Sequence, residues 1–250
     1  MFSEEDADKL LDFIGFGNLD GPIWFLGMEE GGGSEETLRV RLSFDAVMDL
    51  KDAQTKLGNA RYFDFDPRPK LQSTWSVLSK IAIGLTNDTV SAREYQARKL
   101  GRKVKDSETL LCELLPLPNP GMDHWIYADL FNDSRLKDKR TYEEHILSTR
   151  QELYVRLLEK HKPDIVICYG KGFWPRYRKL FPEAEFRQRT LQHSSEELPV
   201  DTVSHAQTHY GGLAFLISHP VAHGMAAQRR IDAIVRLIRS EQAAQSASRR

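Results

Sequence analysis

Two adjacent carboxylates, Glu29 and Glu30, close the apolar run GPIWFLG and are followed at once by Gly31, Gly32 and Gly33. Near the other end of the chain the run LAFLISH ends on His219, followed by Pro220, Val221, Ala222 and His223. A third carboxylate, Glu113, interrupts the apolar segment TLLCELLPL. Carboxylates and an imidazole held at strand ends are the equipment of general acid–base hydrolysis. The Gly triplet is not a nucleotide-phosphate loop, because it lacks the Gly-Lys-Ser/Thr ending and the neighbouring acids would repel a triphosphate. The same Glu pair could instead form the acidic first turn of a helix capped within SEET at 34 to 37. His205, His209, His219 and His223 form two His-x3-His pairs, a spacing that shares a face only on a helix. Both pairs straddle strand ends or loops, so neither a metal site nor a cofactor is expected.

The positioning elements follow from periodicity. Short apolar runs at 21–27, 109–117, 164–170 and 213–219 suit buried parallel strands, and TVSHA at 202–206 is a candidate fifth. Helical patterns lie between them at 73–85, 141–161 and 226–240; in the last, Ile231, Ile234, Val235 and Ile238 make one apolar stripe. Alternating strands and helices predict a three-layer α/β fold: a central, mostly parallel sheet of four to five strands with helices on both faces. One domain over residues 1–240 is expected, with 241–250, SEQAAQSASRR, as a disordered tail. In open sheets of this kind ligands bind at the carboxyl ends of the strands, which is where Glu29, Glu30, the Gly170-Lys171-Gly172 turn and His219 fall.

Composition excludes several classes. The 250 residues carry 35 Lys and Arg against 36 Asp and Glu, so any nucleic-acid affinity must come from local basic patches. The two cysteines, Cys112 and Cys168, lie in apolar stretches and read as buried thiols, too few for a four-cysteine cluster or zinc site. No apolar run approaches the length of a membrane span and the start MFSEEDADKL lacks signal-peptide character, so a cytoplasmic protein without membrane contact is expected. Two segments could track phosphates. SAREYQARKLGRKVK reads as a basic helix whose Arg102, Lys103 and Lys105 face DNA or only solvent. The other segment holds Lys171, Arg176, Arg178 and Lys179, with Trp174 and Tyr177 interleaved.

These strand ends resemble the uracil-DNA glycosylase-like superfamily over most of the chain. GMEEG at 27–31 stands where that superfamily has motifs of the type G-Q-D-P-Y or G-M-N-P-G directly after an apolar strand. LISHPVAHGMAAQRR is similar to its His-Pro strand end before a loop and helix, and KPDIVICYGKGFWPRYRKLF to its strand with Gly-Lys. The resemblance implies a monomeric, metal-independent DNA glycosylase. By position Glu29 matches the water-positioning acid and His219 the histidine that hydrogen-bonds the base carbonyl. The chemistry suits these types, since N-glycosidic hydrolysis passes through an oxocarbenium-like sugar and a departing base that gathers negative charge. The flipped base needs an aromatic face, for which Phe44 and Tyr62 are both candidates. Gly31, Gly32, Val221 and His223 would lie along the DNA backbone with Lys171 and Arg176.

Three departures bear on substrate. Glu30 replaces the family's Pro, Val221 replaces a customary Ser, and Glu113 stands where a base-reading Asn is common. An ionised Glu113 can only accept hydrogen bonds, which suits the N4 amino group of cytosine and not O4 of uracil. A modified cytosine, of the kind found in viral DNA and targeted in antiviral defence, is therefore expected ahead of uracil or a mismatch. Protonation of Glu113 by burial would restore a donor and remove that inference. A binding module of the same fold without turnover, and a metal-dependent hydrolase using the His pairs, are the alternatives.

Overall fold

The computed structural model describes residues 1–65, 68–121, 125–192, 199–219 and 224–248. The strands are β1 (Gly15–Gly17), β2 (Ile23–Gly31), β3 (Val47–Met48), β4 (Thr109–Asn119), β5 (Ile165–Tyr169), β6 (Arg187–Gln192), β7 (Pro199–Gln207) and β8 (Leu213–Ile217). The helices are α1 (Glu4–Leu11), α2 (Glu35–Arg41), α3 (Leu50–Lys56), α4 (Ser73–Thr86), α5 (Ala92–Arg98), α6 (Tyr127–Leu130), α7 (Lys139–His161), α8 (Trp174–Arg178) and α9 (Gly224–Ser248). All strands join one sheet in the order β3-β1-β4-β2-β5-β8-β7-β6.

The four strands expected from the apolar runs are β2, β4, β5 and β8. They lie side by side and all parallel at the centre, Leu26 pairing with both Cys112 and Cys168, and Ile167 with Phe215. The expectation of four to five strands is corrected to eight in a mixed sheet. β1 and β7 add antiparallel to the two flanks of this core, β3 pairs parallel with β1, and β6 pairs antiparallel with β7. The added strands carried little signal because β1 is three residues, GFG, and β6, RQRTLQ, is polar, as an outer strand with one solvated side can be.

Alternate residues of the central strands feed two separate cores. Phe25, Leu111, Ile167 and Phe215 pack with Val77 and Ile81 of α4 and with the α9 stripe Ile231, Ile234, Val235 and Ile238. On the opposite face Trp24, Leu26, Cys112, Val166, Cys168 and Leu216 pack with Leu10 of α1, Tyr154 and Leu158 of α7 and Tyr177 of α8. Both faces are thus covered, and the chain is α/β with helices on each side of the sheet. Cys112 and Cys168 are buried and free. Among the described residues no helix is long and apolar enough to cross a membrane.

Two local expectations are corrected. Residues 241–248 are not a disordered tail but continue α9, because Glu241 pairs with Arg189 at 3.4 Å and Gln245 Nε2 donates to the Gly211 carbonyl at 2.8 Å. The basic segment at 91–105 is helical only over α5. Lys99 pairs with Asp88, and the turn at Gly101 adopts φ +61°, a conformation that favours glycine and ends the helix.

The close approach of α4 to α9 rests on Gly84, where a Cβ would meet Val235 Cγ2 at 2.8 Å and Cγ1 at 2.9 Å. Gly84→Ala should therefore lower the urea midpoint, overpacking of about 1–3 kcal/mol outweighing the roughly 1 kcal/mol gain in helix propensity. Adding Val235→Ala should recover part of the loss; simple additivity of the two changes would show that the contact is not tight.

Candidate active site

Between β2 and β4 the chain forms α2, the edge strand β3 and then α3 to α5, of which α4 packs on the Phe25 face of the sheet, whereas after β5 it forms α8 on the opposite face. At the carboxyl ends of these strands the diverging loops open a cleft, as the topology of open α/β sheets requires. The cleft has a volume of about 410 Å³. Phe16, Leu111, Glu113 and Tyr169 form its floor, Glu30 to Gly33 its rim, and Gln54, Asn59, Tyr62, Gln72 and Trp75 its outer wall. A slightly larger cleft, of about 450 Å³, lies against β6, β7 and α9 around Arg187, His205 and Glu241, but away from the carboxyl ends of the central strands.

Glu113 is the carboxyl on the floor, packed beside Tyr169. Its Oε1 accepts from the Tyr169 hydroxyl at 3.0 Å, and its Oε2 is buried with no hydrogen-bond partner. Burial, reinforced by the charge of Glu30, pushes its pKa up to about 8 against the opposing pull of the Tyr169 hydrogen bond. At neutral pH this carboxyl is therefore mainly protonated and can donate a hydrogen bond as well as accept one. The condition under which the cytosine argument fails is met: Glu113 is not an acceptor only. The side chain lies across Gly27, where a Cβ would overlap Oε2 and come within 2.5 Å of the Tyr169 hydroxyl. From behind, Arg150 and Tyr154 of α7 fix the backbone, with Arg150 Nη2 at 3.1 Å and the Tyr154 hydroxyl at 2.9 Å from the Glu113 carbonyl. Arg150 is 3% exposed and also donates to the Leu114 carbonyl at 3.1 Å, so it serves strand edges left unpaired where β1 stops.

The adjacent carboxylates separate. Both belong to β2 and not to a helix; Ser34 caps α2 instead, in a box with Thr37. Glu29 is bound by Lys139 at the start of α7, with Asn119 Nδ2 at 3.5 Å, and does not line the cleft. Glu30 does line it, held at 2.6 Å by Arg41, whose side chain is only 7% exposed. The pairing of β2 with β4 shifts register between Glu29 and Gly31, a break in the alternation of faces that no sequence pattern announces.

His219 follows β8 and is exposed, its ring centroid 6.3 Å from that of Tyr169. Partial burial and the Arg230 charge lower its pKa, which keeps the ring neutral at pH 7. Arg230 also donates to the His219 carbonyl at 2.8 Å and pairs with Asp201 at 2.7 Å, while Ser218 donates to Asp201 at 2.8 Å. Val221 and His223 lie outside the described residues, as do Pro220 and Ala222.

Of the two aromatic candidates, Tyr62 lines the cleft, edge-on to Trp75 with centroids 5.5 Å apart. Phe44 does not; it is buried beside Phe13 and Arg41. Trp75, Arg41 and Tyr169 belong to the site and were not singled out from sequence, where each sits in a pattern that reads as ordinary helix or strand. Gly31 and Gly32 stand at the rim with open space around their α-carbons.

The basic residues divide. Arg102 is held by Asp49 at 2.8 Å and Lys103 donates to the Val47 carbonyl at 2.7 Å, close to where Gly101 meets Thr109 at the amino end of β4. That is the opposite end of the strand from the cleft, as is Lys105, whose carbonyl accepts from Asn18 after β1. The segment thus lies away from the cleft, with Lys103 and Lys105 exposed. Lys171 stands exposed just after β5, whereas Arg176 is paired with Glu143 at 2.6 Å. Trp174 and Tyr177 are core residues, their polar atoms donating to the carbonyls of Ile217 and Tyr169. The paired histidines have separate partners: His205 stacks on Phe215, and His209 faces Glu159. Among the described residues no group of three or more His, Cys, Asp or Glu is placed to hold a metal ion.

No protein-family model matches this chain, and no curated protein matches it.

A carboxyl that stays protonated in the folded state and ionises in the unfolded state opposes folding as pH rises from about 4.5 to about 8. The expected slope is about 1.4 kcal/mol per pH unit at most. Glu113→Gln should raise the melting temperature by several degrees at pH 8 and change it little near pH 4.5. A shift independent of pH would show that Glu113 titrates normally. Gly27→Ala should lower the melting temperature at every pH, because the overlap with Glu113 and Tyr169 is steric.

Proposed function

We propose that this chain is a DNA glycosylase that receives a flipped-out pyrimidine-type base in the cleft over Glu113 and hydrolyses its N-glycosidic bond. The observation that carries the reading is the cleft itself, at the carboxyl ends of the central parallel strands. Its floor is a protonated carboxyl and a tyrosine, its wall two aromatic rings, and its neighbour a neutral histidine. A pocket for a flipped base needs an apolar or aromatic face and a few polar groups against the base edge. Tyr62 and Trp75 supply the first; Glu113, Asn59 and Gln72 are available for the second. His219 would donate to a base carbonyl as charge builds there, and Glu30 takes over from Glu29 as the carboxylate facing the sugar. The volume of about 410 Å³ exceeds what a bare pyrimidine fills and accommodates a substituent at C5, which keeps a modified cytosine ahead of uracil.

A second reading, a nucleic-acid-binding module without turnover, is favoured by one observation: Lys139 already neutralises Glu29. The two separate in a single-turnover assay on DNAs carrying uracil, mismatched thymine or C5-modified cytosines, with abasic sites revealed by alkali. The glycosylase reading expects strand cleavage that survives excess chelator. It also expects loss of roughly 10²-fold or more in rate for His219→Ala, since one lost donor at a developing anion costs about 2.7–4 kcal/mol. Binding without abasic sites on every DNA supports the module instead.

Affinity for DNA should depend on Lys171 and not on the 102–105 segment. Lys171→Ala should flatten the salt dependence of binding by up to about 0.9 in log–log slope, the share of one phosphate contact. Arg102→Ala should leave that slope unchanged and lower the melting temperature through loss of its Asp49 pair. The reverse pattern would return the DNA surface to the other edge of the sheet.

A further inference from the structure

We infer that the cleft divides acid and base work between two carboxyl groups, Glu113 as the general acid that protonates the departing base and Glu30 as the carboxylate that takes the proton of the attacking water. This inference rests on the glycosylase reading and adds to it both the catalytic pair and the class of base. The two groups line one cleft but stand in opposite surroundings. Glu30 sits at the rim, held against the Arg41 guanidinium at 2.6 Å. Glu113 is on the floor, with Tyr169 donating to Oε1 and nothing meeting Oε2. A buried oxygen without a partner is costly, and here it points to a group that a ligand completes. Gly27 leaves the space in which that carboxyl lies, and the Tyr169 hydroxyl fixes which oxygen is free. Acid and base roles at glycosidic bonds are commonly divided between two carboxyls in different surroundings, here one buried beside a tyrosine and one at the rim beside an arginine.

The free Oε2–H selects the base by its most basic edge atom. The ring nitrogen N3 of a cytosine-type base carries a lone pair far more basic than a uracil carbonyl oxygen, whereas N3 of uracil carries a hydrogen. Glu113 therefore suits a cytosine-type base as a proton donor to N3, a ground different from the acceptor role toward N4 expected from sequence. In the step itself the proton of Glu113 Oε2 passes to N3 as the C1′–N1 bond breaks, and its electron pair stays with the base, which leaves neutral. Water adds its oxygen to C1′ and gives one proton to Glu30. The products are an abasic sugar hydroxyl and the free base, and exchange with solvent returns Glu113 to its acid form and Glu30 to its anion.

Single-turnover rates on one oligonucleotide series, from pH 5 to pH 10, test the assignment. For a C5-modified cytosine the wild-type rate should fall tenfold per unit above about pH 8, where Glu113 loses its proton. Glu113→Gln, which keeps the shape and loses the transferable proton, should lower the rate by about 10²–10⁴-fold and abolish that alkaline limb. On 5-fluorouracil, a base that departs readily as an anion, the same variant should lose less than about tenfold. Glu30→Gln should slow both substrates alike and leave the alkaline limb in place. An active wild type with a rate flat to pH 9, or a Glu113→Gln variant equally impaired on both bases while still folded by circular dichroism, would overturn the pairing and leave the glycosylase reading standing. Absence of base release by the wild type from every DNA would sink the glycosylase reading and this inference with it.

Discussion

A carboxyl group lying across a glycine in the middle of the sheet sets the terms for everything above it. Glu113 cannot occupy the floor unless residue 27 lacks a side chain, and Tyr169 must stand one strand further on to donate to one of its oxygens. Three neighbouring strands, β4, β2 and β5, thus contribute one residue each to a single contact, and their parallel register brings Glu113 opposite Gly27. The cost is a buried oxygen with no partner and a proton retained to about pH 8, a local destabilisation that the two surrounding cores must offset.

The support behind that contact is as specific as the contact itself. β1 stops at the level of Cys112, so the outer edge of β4 would present unpaired carbonyls inside the protein. Arg150 and Tyr154, one turn apart on α7, satisfy them and hold the backbone of Glu113 from the rear. The Arg150 guanidinium is taken up by strand carbonyls and does not line the cleft. The chain between β2 and β4 supplies the outer wall through Gln54, Asn59, Tyr62, Gln72 and Trp75, so the same crossover that makes these strands parallel also encloses the site.

Charge is distributed with equal economy. Acidic and basic residues are nearly equal in number, and several cations near the site have carboxylate partners: Arg41 with Glu30, Lys139 with Glu29, Arg176 with Glu143. Splitting Glu29 and Glu30 between two cations leaves one carboxylate facing the cleft and takes the other out of it. Lys171, just after β5, stays exposed.

The residues alone determined the centre of the fold. Short apolar runs bounded by turn residues suit strands covered on both faces, so the four central strands and the apolar stripe of α9 were legible in composition and periodicity. Glu113 and His219 stood out in the sequence because they interrupt or close such runs, whereas Tyr62 was one of two aromatic candidates between which only the cleft lining distinguishes. What periodicity could not carry was pairing across long separations. It left out the flanking strands β1 and β6, the ordering of residues 241–248 by Arg189 and Gly211, and the sequestration of Arg102 by an aspartate more than fifty positions away. The choice between Glu29 and Glu30 depended on a register shift, and the protonation of Glu113 on the dielectric around it. Both are properties of atoms brought together by folding, and neither is written in the identity or spacing of the residues that hold them.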